Sequence, residues 1–193
     1  MNICVFSSSS NAIDPVYFKE AKILGRILGE NNHTLVNGGA RVGLMEAVAS
    51  EASRSGAKTI GIIPERFIRK SLASDSAHQI IVTKDMQERK SRMREISDAF
   101  IALPGGFGTL EEIMEVLTLR QLSYHFKPVV FINTNNFYRF LFQQFEISFL
   151  ENFTKELYRD IYFPAGNAKE AMEYISDYKV DERDSKWYEV PEK

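Results

Sequence analysis

Cysteine is almost missing from this chain of 193 residues, which contains Cys4 and no other. No internal disulfide can form, so the small secreted folds that depend on disulfide bonds are excluded. Cys4 lies in an apolar run, and we expect a buried thiol in a reducing compartment. The sequence lacks any stretch approaching the roughly 18 apolar residues that span a bilayer, and its first residues lack the pattern of a secretory signal. We therefore expect a cytoplasmic protein that does not enter a membrane.

Histidine and excess positive charge are also scarce. The three histidines, His33, His78 and His125, are scattered without the spacing of metal ligands, so no metal site is expected. The formal net charge is −2, and no global basic field favours a nucleic-acid partner. What the sequence does have is 44% hydrophobic residues, enough for a sizeable core.

Short apolar runs alternate with segments of helical periodicity. Strands are predicted at residues 2–6, 33–36, 58–63, 79–82, 98–103, 128–132 and 161–163. Helices are predicted at residues 15–31, 44–55, 85–97, 109–124, 136–151 and 167–178, with an irregular polar loop at 65–78. The alternation predicts an α/β fold with a mostly parallel sheet flanked by helices on both faces. We expect one domain over residues 1–180 and a polar C-terminal tail over 181–193.

A first glycine turn follows the apolar run at 98–103. Pro104, Gly105, Gly106 and Gly108 form the turn, and Thr109 is expected at the N-cap of the next helix. A strand, a glycine turn and a helix N-terminus together make an anion site, because free amides and the helix dipole favour negative charge. Phosphate is the expected anion. The Lys-Ser/Thr pair of a Walker P-loop is missing.

The same stretch has a second interpretation. Thr109 and Glu112 have the T-x-x-E spacing of a capping box, in which both side chains only satisfy helix amides. The three preceding glycines favour ligand approach instead, since glycine in such a turn costs conformational entropy. Both interpretations remain open on the sequence alone.

A second glycine turn lies at residues 37–43 and includes Gly38, Gly39 and Gly43. It matches the dinucleotide fingerprint loosely, with Ala40 in the middle glycine position. The turn follows the second strand instead of the first, which is the wrong context for a nicotinamide cofactor, and no cofactor is expected. Tight packing and a second phosphate- or ribose-binding turn are the two interpretations.

The run Ser7-Ser8-Ser9-Ser10 follows the first strand. Its hydroxyls and amides can bond a ligand, although serine runs are usually ordinary loops. The G-x-S-x-G elbow of a serine hydrolase is missing, so that class finds little support.

The helix predicted at 85–97 is highly charged, and a solvated surface helix is its ordinary interpretation. Arg89 and Lys90 nevertheless precede the first glycine turn in one βαβ unit. Arg89 could therefore bind a phosphate or a ribose through its planar fork of donors.

Two segments together carry a family resemblance: Asp85-Met86-Gln87-Glu88-Arg89-Lys90 with Met93, and Pro104-Gly105-Gly106-Phe107-Gly108-Thr109-Leu110-Glu111-Glu112. They resemble the paired signatures of the LONELY GUY (LOG) proteins, cytokinin-activating phosphoribohydrolases once labelled lysine decarboxylases. The similarity extends from the first strand to about residue 133. It implies a Rossmann-like nucleotide-binding homodimer that hydrolyses the N-glycosidic bond of a nucleoside 5′-monophosphate, either a cytokinin riboside 5′-monophosphate or AMP. The products are the free base and ribose 5-phosphate.

The resemblance implies that Arg89 and Glu112 are the catalytic pair. A carboxylate can stabilise the positive charge that develops on the ribose, or activate the attacking water. Arg89 stays protonated, so its role is electrostatic and orienting. From the turns and the resemblance together, the expected substrate-binding residues are Ser7, Ser8, Gly38, Gly39, Gly43, Met86, Lys90, Pro104, Gly105, Gly106, Phe107, Gly108, Thr109, Leu110, Glu111 and Thr118.

The preferred base is left open. Ala40 and Glu46 stand where glycine is frequent in the family, and Gln87 replaces a frequent histidine. The alternative function is a non-catalytic nucleotide-binding carrier or sensor on the same fold. A pyridoxal-dependent decarboxylase follows only from the old label, because no lysine has a recognisable Schiff-base context.

The helix predicted at 136–151 is rich in large apolar residues, including Phe137, Phe140, Leu141, Phe142 and Phe145. A homodimer interface and packing inside the monomer are both compatible with this pattern.

Overall fold

The computed structural model of the protein describes residues 1–70 and 72–180. The tail predicted at 181–193 lies outside the described residues. The strands are β1 (Asn2–Phe6), β2 (Thr34–Asn37), β3 (Lys58–Pro64), β4 (Gln79–Thr83), β5 (Ala99–Ala102), β6 (Val129–Ile132) and β7 (Phe163–Ala165). The helices are α1 (Pro15–Glu30), α2 (Gly43–Arg54), α3 (Glu65–Ile68), α4 (Met86–Ile96), α5 (Phe107–Gln121), α6 (Arg139–Leu150) and α7 (Ala168–Asp177).

The seven strands form one sheet in the order β4-β3-β2-β1-β5-β6-β7. Every neighbouring pair is parallel, which confirms the predicted α/β, Rossmann-like class. The chain moves outward on one side of β1 through β2, β3 and β4, and on the other side through β5, β6 and β7. Ligands of such sheets bind beyond the carboxyl ends of the strands, at the point where the strand order reverses. Here that point lies between β1 and β5.

Two apolar layers enclose the sheet. Ile3 and Val5 of β1 pack with Leu24 of α1 in one core, while Cys4 and Phe6 belong to the other core, beneath α4 and α5. This division follows from the alternation of side chains along a strand. Cys4 is fully buried, as predicted, and burial raises the pKa of its thiol above the ordinary range.

The start of α5 differs from the sequence prediction. The helix begins at Phe107 with Gly106 as its N-cap, so the expectation that Thr109 caps it is wrong. Thr109 is instead buried within the first turn, beneath Gly105. A Cβ on Gly105 would lie 2.1 Å from Thr109 Oγ1, so this glycine lets the turn close directly over the threonine.

The predicted loop after β3 contains a short helix in the part of the chain that the structure describes. Pro64 ends β3, and the short helix α3 follows at Glu65–Ile68. An irregular segment, residues 72–78, which contains one bridge residue and a turn, then leads to β4. Its hydrogen bonds tie it to the second glycine turn, as described below.

Candidate active site

The serine run and the second glycine turn are in direct contact. The Leu44 amide donates a hydrogen bond to the Ser8 carbonyl over 2.9 Å. Gly43 has φ +56°, and a Cβ there would lie 2.4 Å from the same carbonyl oxygen. Glycine is therefore required at position 43 by both backbone conformation and close approach. The loops after β1 and β2 thus meet at one edge of the sheet.

A buried ion pair joins α4 to α5. The Arg89 Nη1 lies 2.6 Å from Glu112 Oε1, and the two side chains are only 9% and 8% exposed. Arg89 Nε also donates to the Ile62 carbonyl of β3 over 3.0 Å. The interpretation of α4 as a purely solvated helix is therefore wrong for Arg89, whose guanidinium is fixed between a strand and a carboxylate.

Gly38 makes room for this guanidinium. A Cβ on Gly38 would lie 2.0 Å from Arg89 Nη2 and 2.9 Å from Met45 Sδ. Gly38 was predicted to contact substrate, and the structure places it against Arg89. Its contribution to the site is to leave space for the arginine.

Glu112 is an unusual carboxylate because it is held away from water beside a cation. Burial raises the pKa of its carboxyl, and the charge of Arg89 opposes that shift. A carboxylate of this kind is suited to electrostatic stabilisation or to proton transfer. The capping-box interpretation is wrong, since Thr109 is not the N-cap and the Glu112 carboxylate bonds to Arg89.

The first glycine turn presents the N-terminus of α5 to open space. Amides in the first turn of a helix have no intrahelical partner, so those of Phe107, Gly108 and Thr109 are available to a ligand. A Cβ on Gly106 or Gly108 would meet no atom within 4 Å. Neither glycine has a positive φ, so neither packing nor backbone strain requires it. The space that both leave beside the helix N-terminus fits a phosphate.

Ser7 contributes a buried hydroxyl at the end of β1. The residue is 8% exposed, and its Oγ has no hydrogen-bond partner within the described part of the chain. A buried hydroxyl normally has a partner, so this one is available to a ligand. The Ser8 Oγ is different, because it accepts a hydrogen bond from the Ser10 amide over 3.1 Å.

Two predicted contact residues bond to groups outside the Arg89–Glu112 pair. Lys90 Nζ contacts the carboxylate of Glu111, and its distance to Glu115 Oε2 is 3.1 Å, so it ties α4 to α5. Thr118 Oγ1 donates to the Met114 carbonyl of its own helix over 2.8 Å. These side chains are committed to local bonds.

The remaining predicted residues surround the first turn and the pair. The Met86 thioether lies 4.0 Å from Arg89 Nη1, Phe107 is almost fully exposed beside the turn, and Pro104 is buried beneath it. Leu110 lines an apolar groove along α5. Gly39 has φ +66° and lies against Gly61 of the neighbouring strand.

Two contacts near the predicted site residues were missed in the sequence. The Ile62 carbonyl orients Arg89, and a backbone carbonyl carries no residue-type signal. Glu46 was noted only for replacing a frequent glycine, but its carboxylate accepts hydrogen bonds from the hydroxyls of Ser74 and Ser76. Three acidic, histidine or cysteine side chains placed to hold a metal do not occur together in residues 1–70 or 72–180. Among the helices of those two ranges, none is long and apolar enough to cross a membrane.

Residues 45–175 match the protein family described as "Possible lysine decarboxylase". The cytokinin riboside 5′-monophosphate phosphoribohydrolase LOG7 of Arabidopsis thaliana is 38% identical over 192 residues, covering 97% of this chain and 88% of the relative. The rice (Oryza sativa subsp. japonica) protein LOG, which has the same name, is 36% identical and covers 92% of this chain and 75% of the relative.

Solved structures share the fold. A molybdenum cofactor binding protein from Rippkaea orientalis superposes with a TM-score of 0.70 at 28% identity, covering 91% of this chain and 94% of the other. A molybdenum cofactor carrier protein from Chlamydomonas reinhardtii gives a TM-score of 0.67 at 20% identity, covering 91% of this chain and 95% of the other. At that identity the second likeness concerns the fold alone.

Proposed function

The chain belongs to the LOG family, and we propose that it hydrolyses the N-glycosidic bond of a cytokinin riboside 5′-monophosphate, releasing the free base and ribose 5-phosphate. The observation that carries this proposal is the buried pair of Arg89 and Glu112 beside the open N-terminus of α5. The relatives that match most of the chain bear the name of this activity. The reaction would activate a cytokinin, and the buried thiol of Cys4 supports a cytoplasmic location.

Each part of the site has a role in this reaction. The 5′-phosphate would accept hydrogen bonds from the first amides of α5, which places the ribose near Glu112. Water adds its oxygen to C1′ and loses one proton, while the C1′–N bond breaks with its electron pair leaving on the base, which takes up one proton. Glu112 either stabilises the positive charge on the ribose or accepts the water proton. Arg89 remains protonated and holds the carboxylate in place.

A phosphate on the substrate should be essential. We expect kcat/KM for isopentenyladenosine to be at least about 10²-fold below that for its 5′-monophosphate, because the riboside loses two or more charge-assisted hydrogen bonds to the amides of α5. The measurement is release of free base, followed by chromatography. Equal kcat/KM values for the two compounds would remove the phosphate assignment of the first glycine turn.

AMP is the second substrate that we propose, since it carries the same phosphate and ribose. A carrier or sensor on this fold is the alternative function, and the likeness to the Rippkaea orientalis protein favours considering it. Incubation with AMP and isopentenyladenosine monophosphate separates the two. A carrier binds a nucleotide and releases no base, whereas the enzyme yields free base and ribose 5-phosphate in equal amounts.

A lysine decarboxylase finds no support at this site. A Schiff base requires an unprotonated amine. Although burial opposes the shift, the carboxylates of Glu111 and Glu115 raise the pKa of Lys90, so this lysine stays an ammonium.

We also propose that the protein is a homodimer. An apolar groove lies between α5 and α6, lined in part by Met114, Leu141 and Phe145. The outer side of α6 and the residues just after it carry exposed apolar side chains, namely Phe140, Ile147, Leu150 and Phe153. A cluster of exposed apolar side chains beside an apolar groove is typical of a protein–protein interface. Other aromatic residues of α6, including Phe142, pack onto the core beneath the helix, so the interpretation as packing inside the monomer holds for them and the proposed interface concerns the exposed residues.

Substitution in this surface should separate the subunits. We expect a dimer mass at micromolar concentration in light scattering, and a monomer mass for Leu150→Asp, because a buried unpaired carboxylate is costly at an interface. Lys22→Asp, an exposed change on α1 at the opposite face of the sheet, should leave the mass unchanged. A monomer mass for the unsubstituted protein would contradict the dimer.

A further inference from the structure

A strap, defined as residues 72–78, is bonded to the second glycine turn. The Ser74 amide donates to the Gly39 carbonyl over 2.9 Å, and Ala40 forms an isolated antiparallel bridge with Ala73. Residue 38 of the same turn makes room for Arg89. The strap therefore attaches to the turn that backs the arginine of the ion pair.

Glu46 holds the strap from the side of α2. Its Oε2 accepts a hydrogen bond from Ser74 Oγ over 2.5 Å, and its Oε1 accepts one from Ser76 Oγ over 2.7 Å. Both carboxylate oxygens are used, and bonds to a charged acceptor are stronger than bonds between neutral groups. Glu46 lies in the first turn of α2, where the helix dipole stabilises its negative charge.

Ala40 and Glu46 both contact the strap. A glycine at position 46 would have no carboxylate to hold Ser74 and Ser76, so the attachment depends on the residue that this chain carries there.

The strap lies on the side of the crevice where the base of the substrate is expected. This step rests on the proposed function. The phosphate would lie at the N-terminus of α5, which follows β5, and the ribose would lie at Glu112. Arg89 extends from that carboxylate to Gly38 and the Ile62 carbonyl, at the ends of β2 and β3. A nucleotide that continues along this edge places its base toward β2 and β3, on the side where the strap is attached.

We propose that Glu46 is a positioning residue that sets selectivity for the base. It touches no reacting atom. It holds the strap against the second glycine turn and so fixes the wall of the crevice that receives the base. Its loss should alter how different bases bind while the phosphate and ribose sites remain in place.

The test compares Glu46→Gln with the double variant S74A/S76A. For isopentenyladenosine monophosphate we expect KM to rise about tenfold, as for loss of one charge-assisted hydrogen bond, and for AMP by a clearly different factor, with kcat for both within about twofold of the unsubstituted value. The ratio of kcat/KM between the two substrates should change in the same direction in both variants. Combining all three substitutions should add little, because they remove the same interaction.

Inhibition by ribose 5-phosphate is the internal reference, because that product lacks a base. Its Ki should stay within about twofold, whereas a general loosening of the crevice would weaken both ligands together. Ser50→Ala, also on α2 but bonded only to its own helix, and Glu173→Gln, an exposed charge change on α7, are the matched controls. Both should match the unsubstituted protein in KM, kcat and melting temperature.

Two results would overturn the role of Glu46. One is an unchanged KM and substrate ratio in both test variants, and the other is an equal increase in KM and in the Ki of ribose 5-phosphate. If the unsubstituted protein releases no base from either monophosphate, it is the proposed function that fails. The affinities of the same variants for AMP and ribose 5-phosphate, measured by calorimetry, then test the role of Glu46. Weaker binding of AMP alone supports that role, and equally weaker binding of both ligands refutes it.

Discussion

Glu112→Gln is expected to slow base release by roughly 10²-fold or more, the usual loss when a preorganised electrostatic group is removed. Glutamine has the shape of glutamate, and its amide oxygen can still accept a hydrogen bond from Arg89. It cannot carry the negative charge that faces the ribose or take a proton from water. The substitution therefore separates the charge of Glu112 from its volume and its packing.

The variant should still fold. The buried guanidinium loses its counter-charge, which destabilises the protein, but it keeps a hydrogen bond to residue 112 and the one to the Ile62 carbonyl. We expect a melting temperature lowered by about 2–4 °C, corresponding to a loss near 1 kcal/mol in a domain of this size. Glu115→Gln, one turn later on α5 and partly exposed, is the matched control and should retain its rate. A Glu112→Gln variant that keeps most of the activity would show that this carboxylate is not catalytic.

Arg89→Lys should produce a loss of similar size for a geometric reason. Arginine reaches the Ile62 carbonyl through Nε and Glu112 through Nη1, and these two bonds leave the side chain at different angles. A lysine keeps the charge but has one nitrogen and no planar fork, so it cannot hold both partners in the same positions. We expect kcat to fall by roughly 10²-fold, because a small misplacement of a catalytic carboxylate has effects of that order.

The control for this change is Arg92→Lys on the same helix. Arg92 is half-exposed and pairs with Glu95 at 3.1 Å, away from the crevice, so its substitution should alter neither kcat nor melting temperature. Chromatography of released base gives the rate, and thermal unfolding reports whether each variant folds. Normal turnover by Arg89→Lys would mean that any cation suffices at this position and that the double attachment has no catalytic role.

The sheet could be predicted from the sequence because each strand is a short apolar run with turn residues at its end. The start of α5 could not, since Thr109 and Glu112 have the spacing of a capping box. The helix instead begins after Gly106, which adopts an extended conformation as the N-cap three residues before the predicted start at Thr109. The T-x-x-E spacing favours a helix that starts at Thr109. The close approach of Gly105 to Thr109 favours the observed start at Phe107.

The members of the site were predictable to different degrees. Arg89 and Glu112 stand 23 residues apart in the chain, and only their family resemblance indicated that they meet. Lys90 is also a basic residue and follows Arg89 directly in the chain, but the geometry of α4 directs its side chain to Glu111 and Glu115. The direction of a side chain from a helix depends on packing against other elements, and composition alone does not determine it.

The close approach of Arg89 to Gly38 also limits the order in which the two residues can change. Any larger residue at position 38 would displace the guanidinium, so such a change is tolerated only after the arginine has been replaced by a shorter side chain. We expect descendants that lose hydrolysis to change Arg89 first and Gly38 afterwards, in that order. A relative with a side chain at the position of Gly38 would then be a binding protein without turnover, and this single position would distinguish the two groups before any assay.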